Sequence, residues 1–290
     1  MSGPGARRSG ARPVVSWGRL VEPDRLPYGI DVNTPSVARM YDSLLGGRDN
    51  YPADRAACSA LLEKVPSMRE LALNNRQFLR RVVHTLAKDF GVRQFIDHGS
   101  GLPTQDNVHE IAQRVDDRSR VVYIDNDPIV RNIGGAILER NDRTAVIQAD
   151  MRHTENIFTH PSVTALIDMK EPVAALFVSV LHCLPDSADP GALIADVASR
   201  LPDGSFMVVC QLVSDSPAIR DFVTGFMDEQ TQGNWGRVRE KSDVAAYCAP
   251  LDLVEPGLVE VSRWRPGADD VPPQLTFEWE EYGGVGQVRR

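Results

Sequence analysis

The chain is poor in cysteine: Cys58, Cys183, Cys210 and Cys248 are all that its 290 residues contain, and no two form a CxxC spacing. That scarcity excludes a disulfide framework and a thiolate zinc site, and predicts buried thiols in a reducing compartment. The six histidines are scattered with no HxxxH pair, so no metal site is expected. No apolar run approaches the roughly 20 residues that a membrane span needs. Arg7-Arg8 has the look of a twin-arginine signal, but no apolar segment follows it. The chain therefore reads as cytoplasmic. Positive charge is also in deficit, with 32 Lys and Arg against 40 Asp and Glu, a net charge of -8. A nucleic-acid partner would call for a basic footprint, so a small molecule is the expected partner. Nothing in the composition sets an oligomeric state.

What is present is an ordinary apolar content of 42%, enough for a sizeable core. Residues 1–27, rich in Gly, Arg and Pro, read as a mobile N-terminal arm. Residues 28–91 read as a helical cap, in three predicted helices. The first starts at Thr34-Pro35 and runs to Leu45, and the second covers Pro52 to Lys64. The third extends from a Ser67 cap to Phe90, with an apolar stripe of Leu71, Phe78, Leu79, Val82, Val83 and Leu86.

From residue 92 to 290 strand and helix signals alternate. Strands are expected near 93–97, 120–125, 144–149, 173–180 and 205–213, with a helix after the first running from Thr104 to Val115. Alternation of this kind implies βαβ crossovers. The predicted fold class is therefore α/β, a doubly wound, mostly parallel sheet of about seven strands. Helices are expected from Pro217 to Gln230 and from Ser242. Leu258–Trp264 and Leu275–Tyr282 are expected to form an antiparallel hairpin at one sheet edge, followed by a Gly-rich tail.

The richest segment is Phe95-Ile96-Asp97-His98-Gly99-Ser100-Gly101-Leu102-Pro103, a buried strand that ends on an acid and breaks into a glycine turn. Glycine there lets a ligand approach backbone amides closely. Asp125 ends the second strand and Asp150 follows the third, so three aspartates fall on one sheet edge. Asp97 suits an ammonium group, Asp125 a pair of ribose hydroxyls, and Asp150 with Met151 an adenine base. The NAD fingerprint needs a third glycine where Thr104 stands, and Asp97 would oppose a pyrophosphate. The pattern favours S-adenosylmethionine as cofactor over NAD, although each aspartate taken alone is equally a turn or cap residue.

The segments FIDHGSGLPTQDNVHEIAQ, VVYIDNDPIV, QADMR and SVLHCLPD occur in that order, preceded by YDSLLGGRDNYPADR at Tyr41–Arg55. Together they resemble a mostly actinobacterial family of S-adenosylmethionine-dependent methyltransferases, long catalogued as a domain of unknown function. The resemblance runs from about residue 30 to the C-terminus. It implies the class I, Rossmann-like methyltransferase fold and a bound methyl donor, and it supplies no acceptor. By position it implies that Asp97, Gly99, Ser100 and Gly101 form the donor's glycine turn, and that Asp125 with Asn126 binds ribose. Asp150 with Met151 would hold adenine, and Ser179 with Val180 would border the methionine portion. His98 stands where the family usually has an apolar residue. Gly134-Gly135 interrupt a helix, at about 1 kcal/mol each relative to alanine.

Methyl transfer mainly requires alignment and exclusion of water, so no catalytic triad is needed, and none is visible. His182, after the fourth strand, is the candidate base, its alternative being a hydrogen-bonded strand-end histidine. His98 and His109 read as packing residues. Tyr41 and the Arg48–Tyr51 segment are expected to form a lid over the donor, an ordinary interhelical turn being the alternative. Trp235, Trp264 and Trp279 suit an acceptor pocket or plain core. The expected activity is methylation of a small molecule at oxygen or nitrogen. A non-catalytic donor-binding sensor or scaffold is the rival from another class, with an NAD-dependent oxidoreductase behind it.

Overall fold

The computed structural model describes residues 31–104, 106–138, 141–268, 270 and 278–289. The arm expected at 1–27, the first residues of the cap and Leu275–Phe277 lie outside the described residues. Among the described residues three helices come first: α1 (Val37–Leu44), α2 (Pro52–Lys64) and α3 (Met68–Asp89). The first starts two residues later than Thr34-Pro35 predicts, with Ser36 at the cap position. Arg39 and Asp54 form a buried ion pair at 3.0 Å between α1 and α2, and Asp54 also accepts from the Ser36 and Tyr51 amides. Ser67 precedes α3 with helical φ and ψ of -73° and -4° and makes no side-chain cap bond, and its hydroxyl accepts from Trp279 Nε1 at 2.9 Å.

Strand and helix then alternate through β1 (Gln94–His98), α4 (Val108–Val115), β2 (Arg120–Asp125), α5 (Pro128–Leu138) and β3 (Thr144–Gln148). The short helices α6 (Thr154–Phe158) and α7 (Pro161–Leu166) lead to β4 (Ala174–Val178). Next come α8 (Pro190–Arg200), β5 (Phe206–Val213), α9 (Pro217–Gln230) and α10 (Lys241–Cys248). The chain ends in β6 (Asp252–Leu253), β7 (Val259–Glu260) and β8 (Glu280–Gln287). Helix α4 begins four residues later than expected. Asp106 takes a left-handed φ of 58°, and the Asn107 amide donates to Glu110, so the capping box sits at Asn107 rather than Thr104.

The eight strands of the described residues form one sheet in the order β3-β2-β1-β4-β5-β8-β6, with β7 pairing to β8 beside that path. Strands β1 to β5 are mutually parallel, while β8 runs antiparallel to β5, β6 and β7. The mostly parallel α/β sheet agrees with the sequence reading, but its closing edge does not. Val259–Glu260 and Tyr282–Gly283 do pair antiparallel, but β8 continues through the Gly-rich segment read as a tail and lies between β5 and β6 instead of at the edge. Glycine is required there by close approach. A Cβ on Gly283 would lie 2.0 Å from the Val209 carbonyl oxygen.

Two apolar layers sandwich the sheet. One joins Phe78, Val82 and Leu86 of α3 to Phe95, Leu176 and Val208, with Trp264 packed edge-on to Phe78. The other joins Ile96, Phe177 and Val209 to Ile194 and Val244. A third cluster packs Met40, Leu44, Leu61 and Leu71 against Leu212, Trp235 and Trp279, at the carboxyl end of β5. Trp264 and Trp279 are thus core residues. Asp31–Arg290 make one compact unit, and α3 belongs to the same core as the sheet. No helix among the described residues is long and apolar enough to cross a membrane.

Candidate functional site

Because β1, β2 and β3 are parallel, Asp97, Asp125 and Asp150 fall at the same carboxyl edge. The turn after β1 is pinned to β2: the Gly99 and Ser100 amides both donate to the Ile124 carbonyl, at 2.8 and 3.0 Å. The Gly101 amide donates to Asp125 Oδ2 at 2.8 Å. The turn's amides are therefore committed to β2, and its glycines act through backbone conformation and close approach. Gly99 and Gly101 have φ of 72° and 64°. A Cβ on Gly99 would come within 2.2 Å of Val180 Cγ2 and 3.3 Å of Met151 Cε, whereas one on Gly101 would meet nothing within 4 Å. Gly99 thus seats Val180 and Met151, and Gly101 faces open space.

The acids differ in electrostatics. Asp97 is buried, and no hydrogen-bond donor among the described residues reaches its carboxylate. Burial pushes it up to about 7, opposed by the charge of Arg76 and reinforced by that of Asp125. Asp125 accepts from the Gly101 and Asp127 amides, and burial nevertheless raises it to about 6. Asp150 is held below its ordinary value by hydrogen bonds from Arg152, with Nε at 2.9 Å. Asn126 is exposed. Ser100 Oγ is buried with no hydrogen-bond partner. A buried, donor-free carboxylate beside a cation, an orphaned hydroxyl and open space at a left-handed glycine fit a polar ligand carrying an ammonium group.

Helix α1 reaches the same edge. Ser36 Oγ donates to Asp127 Oδ2 at 2.8 Å, next to Asp125. Tyr41 Oη donates to the Ala72 carbonyl at 3.1 Å and accepts from Asn75 Nδ2 at 2.8 Å, and burial raises its hydroxyl's pKa. The turn from Gly46 to Asn50 wraps Asp42, whose Oδ2 accepts from the Asp49 amide and Asn50 Nδ2, at 2.9 and 2.8 Å. The polar density of Arg48–Tyr51 therefore has a local cause in the connection between α1 and α2.

Ser179 and Val180 follow β4 directly. Ser179 has a left-handed φ of 56°, its amide donates to the Cys210 carbonyl, and its hydroxyl donates to Glu281 Oε1 at 2.5 Å. His182 is a poor base. Its Nδ1 accepts from the Leu212 amide at 3.1 Å, and burial together with Arg239 lowers it to about 3. His98 is fully buried without a hydrogen-bond partner, stacked on Phe177 at 4.4 Å. His109 meets Tyr123 Oη at 2.8 Å, as a packing residue would.

Sequence reasoning missed Arg76, Asn75 and Glu281. The helix brings Arg76 near Asp97 without any local motif that marks it, and its Nη2 also donates to the Asp106 carbonyl at 2.6 Å. Glu281 did carry a signal. In Trp279-Glu280-Glu281-Tyr282 one of two adjacent acids must face inward on a buried strand, and both are in fact buried. Among the described residues no group of three or more His, Cys, Asp and Glu is arranged to hold a metal ion.

Comparisons with known proteins point the same way as this geometry. Residues 23–289 match the model of the S-adenosyl methyltransferase family. A provisionally named methyltransferase from Thermobifida fusca YX is 37% identical in sequence. The similarity covers 91% of this chain and 98% of that one, with a TM-score of 0.83. A DUF574 family protein from Streptomyces avermitilis MA-4680 is 33% identical over 89% of this chain and 98% of its own, with a TM-score of 0.81. No protein of curated function matches.

Proposed function

We propose a specific chemistry for this chain, which belongs to the S-adenosyl methyltransferase family: transfer of a methyl group to oxygen or nitrogen of a small organic molecule. The cofactor of that family is S-adenosylmethionine. When bound, it supplies a methyl group on a sulfonium that is already a good leaving group. The observation that carries the reading is the Asp97 carboxylate, buried with no hydrogen-bond donor among the described residues, beside the open face of Gly101.

On this reading Asp97 takes the donor's ammonium group and Arg76 its carboxylate, so the pair complements a zwitterionic amino-acid end. Gly99, Ser100 and Gly101 bound the methionine arm from below, with Ser179 and Val180 beside them. Asp125 turns its carboxylate to the ribose hydroxyls, with Asn126 next to it. Asp150 and Met151 flank the adenine; Met151 Cε would lie 3.3 Å from a Cβ on Gly99, and Asp150 retains acceptor capacity beyond its Arg152 bonds. Helix α1, anchored by Ser36 on Asp127 and Tyr41 on Asn75, forms the cap over the reacting centre, in the region 28–91. The residues' task is alignment and exclusion of water, which can supply roughly 7–11 kcal/mol of the barrier.

The acidic net charge of -8 supports a small molecule over nucleic acid as acceptor. The test is a screen of metabolite extracts for donor-dependent methylation with isotopically labelled S-adenosylmethionine. Label in a low-molecular-weight product is the expected result. Label in DNA or RNA added to the same screen would overturn the small-molecule assignment.

A further inference from the structure

We infer that the Ser179 hydroxyl and the Glu281 carboxylate form a relay that takes the proton from the acceptor's nucleophile, an inference that rests on the donor-binding reading above. Ser179 sits at the rim of the glycine turn, one residue before the Val180 that packs on Gly99. Its left-handed φ of 56° is a conformation that favours glycine, and non-glycine residues held there cluster at functional sites. Its hydroxyl donates to Glu281 Oε1 at 2.5 Å.

Behind Ser179 a polar path crosses four elements. Glu281 Oε2 on β8 lies 3.7 Å from Cys210 Sγ on β5, which is 3.3 Å from Asn75 Oδ1 on α3. Asn75 Nδ2 donates to Tyr41 Oη on α1 at 2.8 Å. Every hydrogen-bond partner of Glu281 on this path is neutral. Among the described residues, the titratable groups whose charge reaches it are Glu260 on β7, Cys210 on β5, Cys183 in the turn after β4, and Tyr41 on α1. None of them is a cation. A buried carboxylate without a countercharge is costly to keep ionised, and burial pushes Glu281 up to about 7. A group with that balance accepts a proton readily at neutral pH. His182, also after β4, has the lone pair of its Nδ1 occupied by the Leu212 amide.

The step balances without a further reactant. The methyl carbon–sulfur bond breaks and its electron pair stays on sulfur, while a carbon–oxygen or carbon–nitrogen bond forms. The proton on the nucleophile passes to Ser179 Oγ as the Ser179 proton passes to Glu281 Oε1. The relay thus defines the acceptor class as a hydroxyl, phenol or protonated amine, one that must lose a proton to be methylated.

Calorimetry of the full chain can test this with known ligands. S-adenosylmethionine and S-adenosylhomocysteine share the amino-acid and ribose contacts, so proton release from Asp97 and Asp125 is common to both. They differ in the sulfonium charge, which would favour ionised Glu281. Titrations at pH 7 in phosphate and in Tris, whose ionisation enthalpies differ, read the protons released. The methyl donor should release more protons than its demethylated product, because burial raises Glu281 toward neutral pH and the sulfonium favours its ionised form. Glu281→Gln should bind both ligands and abolish the difference. Equal release by the two ligands on the parent chain, or a difference that survives in Glu281→Gln, would overturn the relay while leaving donor binding intact. Failure of both ligands to bind would instead overturn the donor reading on which it rests.

Discussion

Replacing Gly101 with alanine separates the conformational role of the turn from its role toward a ligand. The new Cβ would meet nothing within 4 Å, so the cost to folding is confined to the left-handed φ of 64°. An L-residue there costs roughly 1–2 kcal/mol. For a chain of this size that lowers Tm by about 2–8 °C. Gly91 provides the control: its φ is 68°, its Cβ would also meet nothing, and it lies after α3, outside the site. Gly91→Ala and Gly101→Ala should therefore lose similar stability. Only Gly101→Ala places a methyl group in the space assigned to the donor. Forcing a methyl into a fitted contact costs roughly 1–3 kcal/mol, which weakens binding about 5- to 150-fold. Scanning calorimetry and isothermal titration with S-adenosylhomocysteine measure the two quantities. Equal affinity in Gly101→Ala and Gly91→Ala would refute the assignment of that space to the donor.

Donor affinity should fall as pH drops from 8 to 5. Asp97 at about 7 and Asp125 at about 6 become neutral over that range, and a cationic arm and ribose hydroxyls prefer them ionised. The loss approaches tenfold per pH unit for each carboxylate that must ionise; a flat profile by titration calorimetry would contradict it. Arg76→Gln should cost about 1.5–3 kcal/mol of S-adenosylhomocysteine affinity. It should leave methylthioadenosine, which lacks the amino-acid end, unaffected, and equal losses for both ligands would remove Arg76 from the carboxylate role. His182→Phe should orphan the Leu212 amide and cost about 1–3 kcal/mol of stability with little change in donor affinity. Thermal unfolding checks the first part, and a stability equal to the parent would show that the bond contributes nothing.

The sequence made the sheet legible because its signals are local. Apolar runs such as Ala174–Val178 bounded by breakers, and acids placed at strand ends, depend on neighbours in the chain. The glycine turn and its register with Asp125 follow from the same logic. What stayed hidden depends on distant contacts. The Gly-rich segment at 283–286 reads as a tail until the β5 backbone, 2.0 Å from a would-be Cβ on Gly283, explains why side chains are missing. Arg76 lies on a helix whose apolar stripe dominates its pattern, and only the packing of α3 brings it to Asp97. Tyr41 stands in the sequence near the polar residues Arg48–Tyr51. Yet Asp49 and Asn50 bind Asp42, and the Tyr41 hydroxyl binds Asn75, 34 positions away. His182 drew attention by its position after β4, but a backbone amide from β5 claims its lone pair.

A crystal structure of the chain with S-adenosylhomocysteine tests the central claim most directly. The account predicts the ligand against the open face of Gly101, its ammonium group on Asp97 and its carboxylate toward Arg76. Its ribose hydroxyls should lie on Asp125 and its base between Asp150 and Met151. Ligand bound elsewhere, or bound with no contact to Asp97 and Asp125, would contradict it.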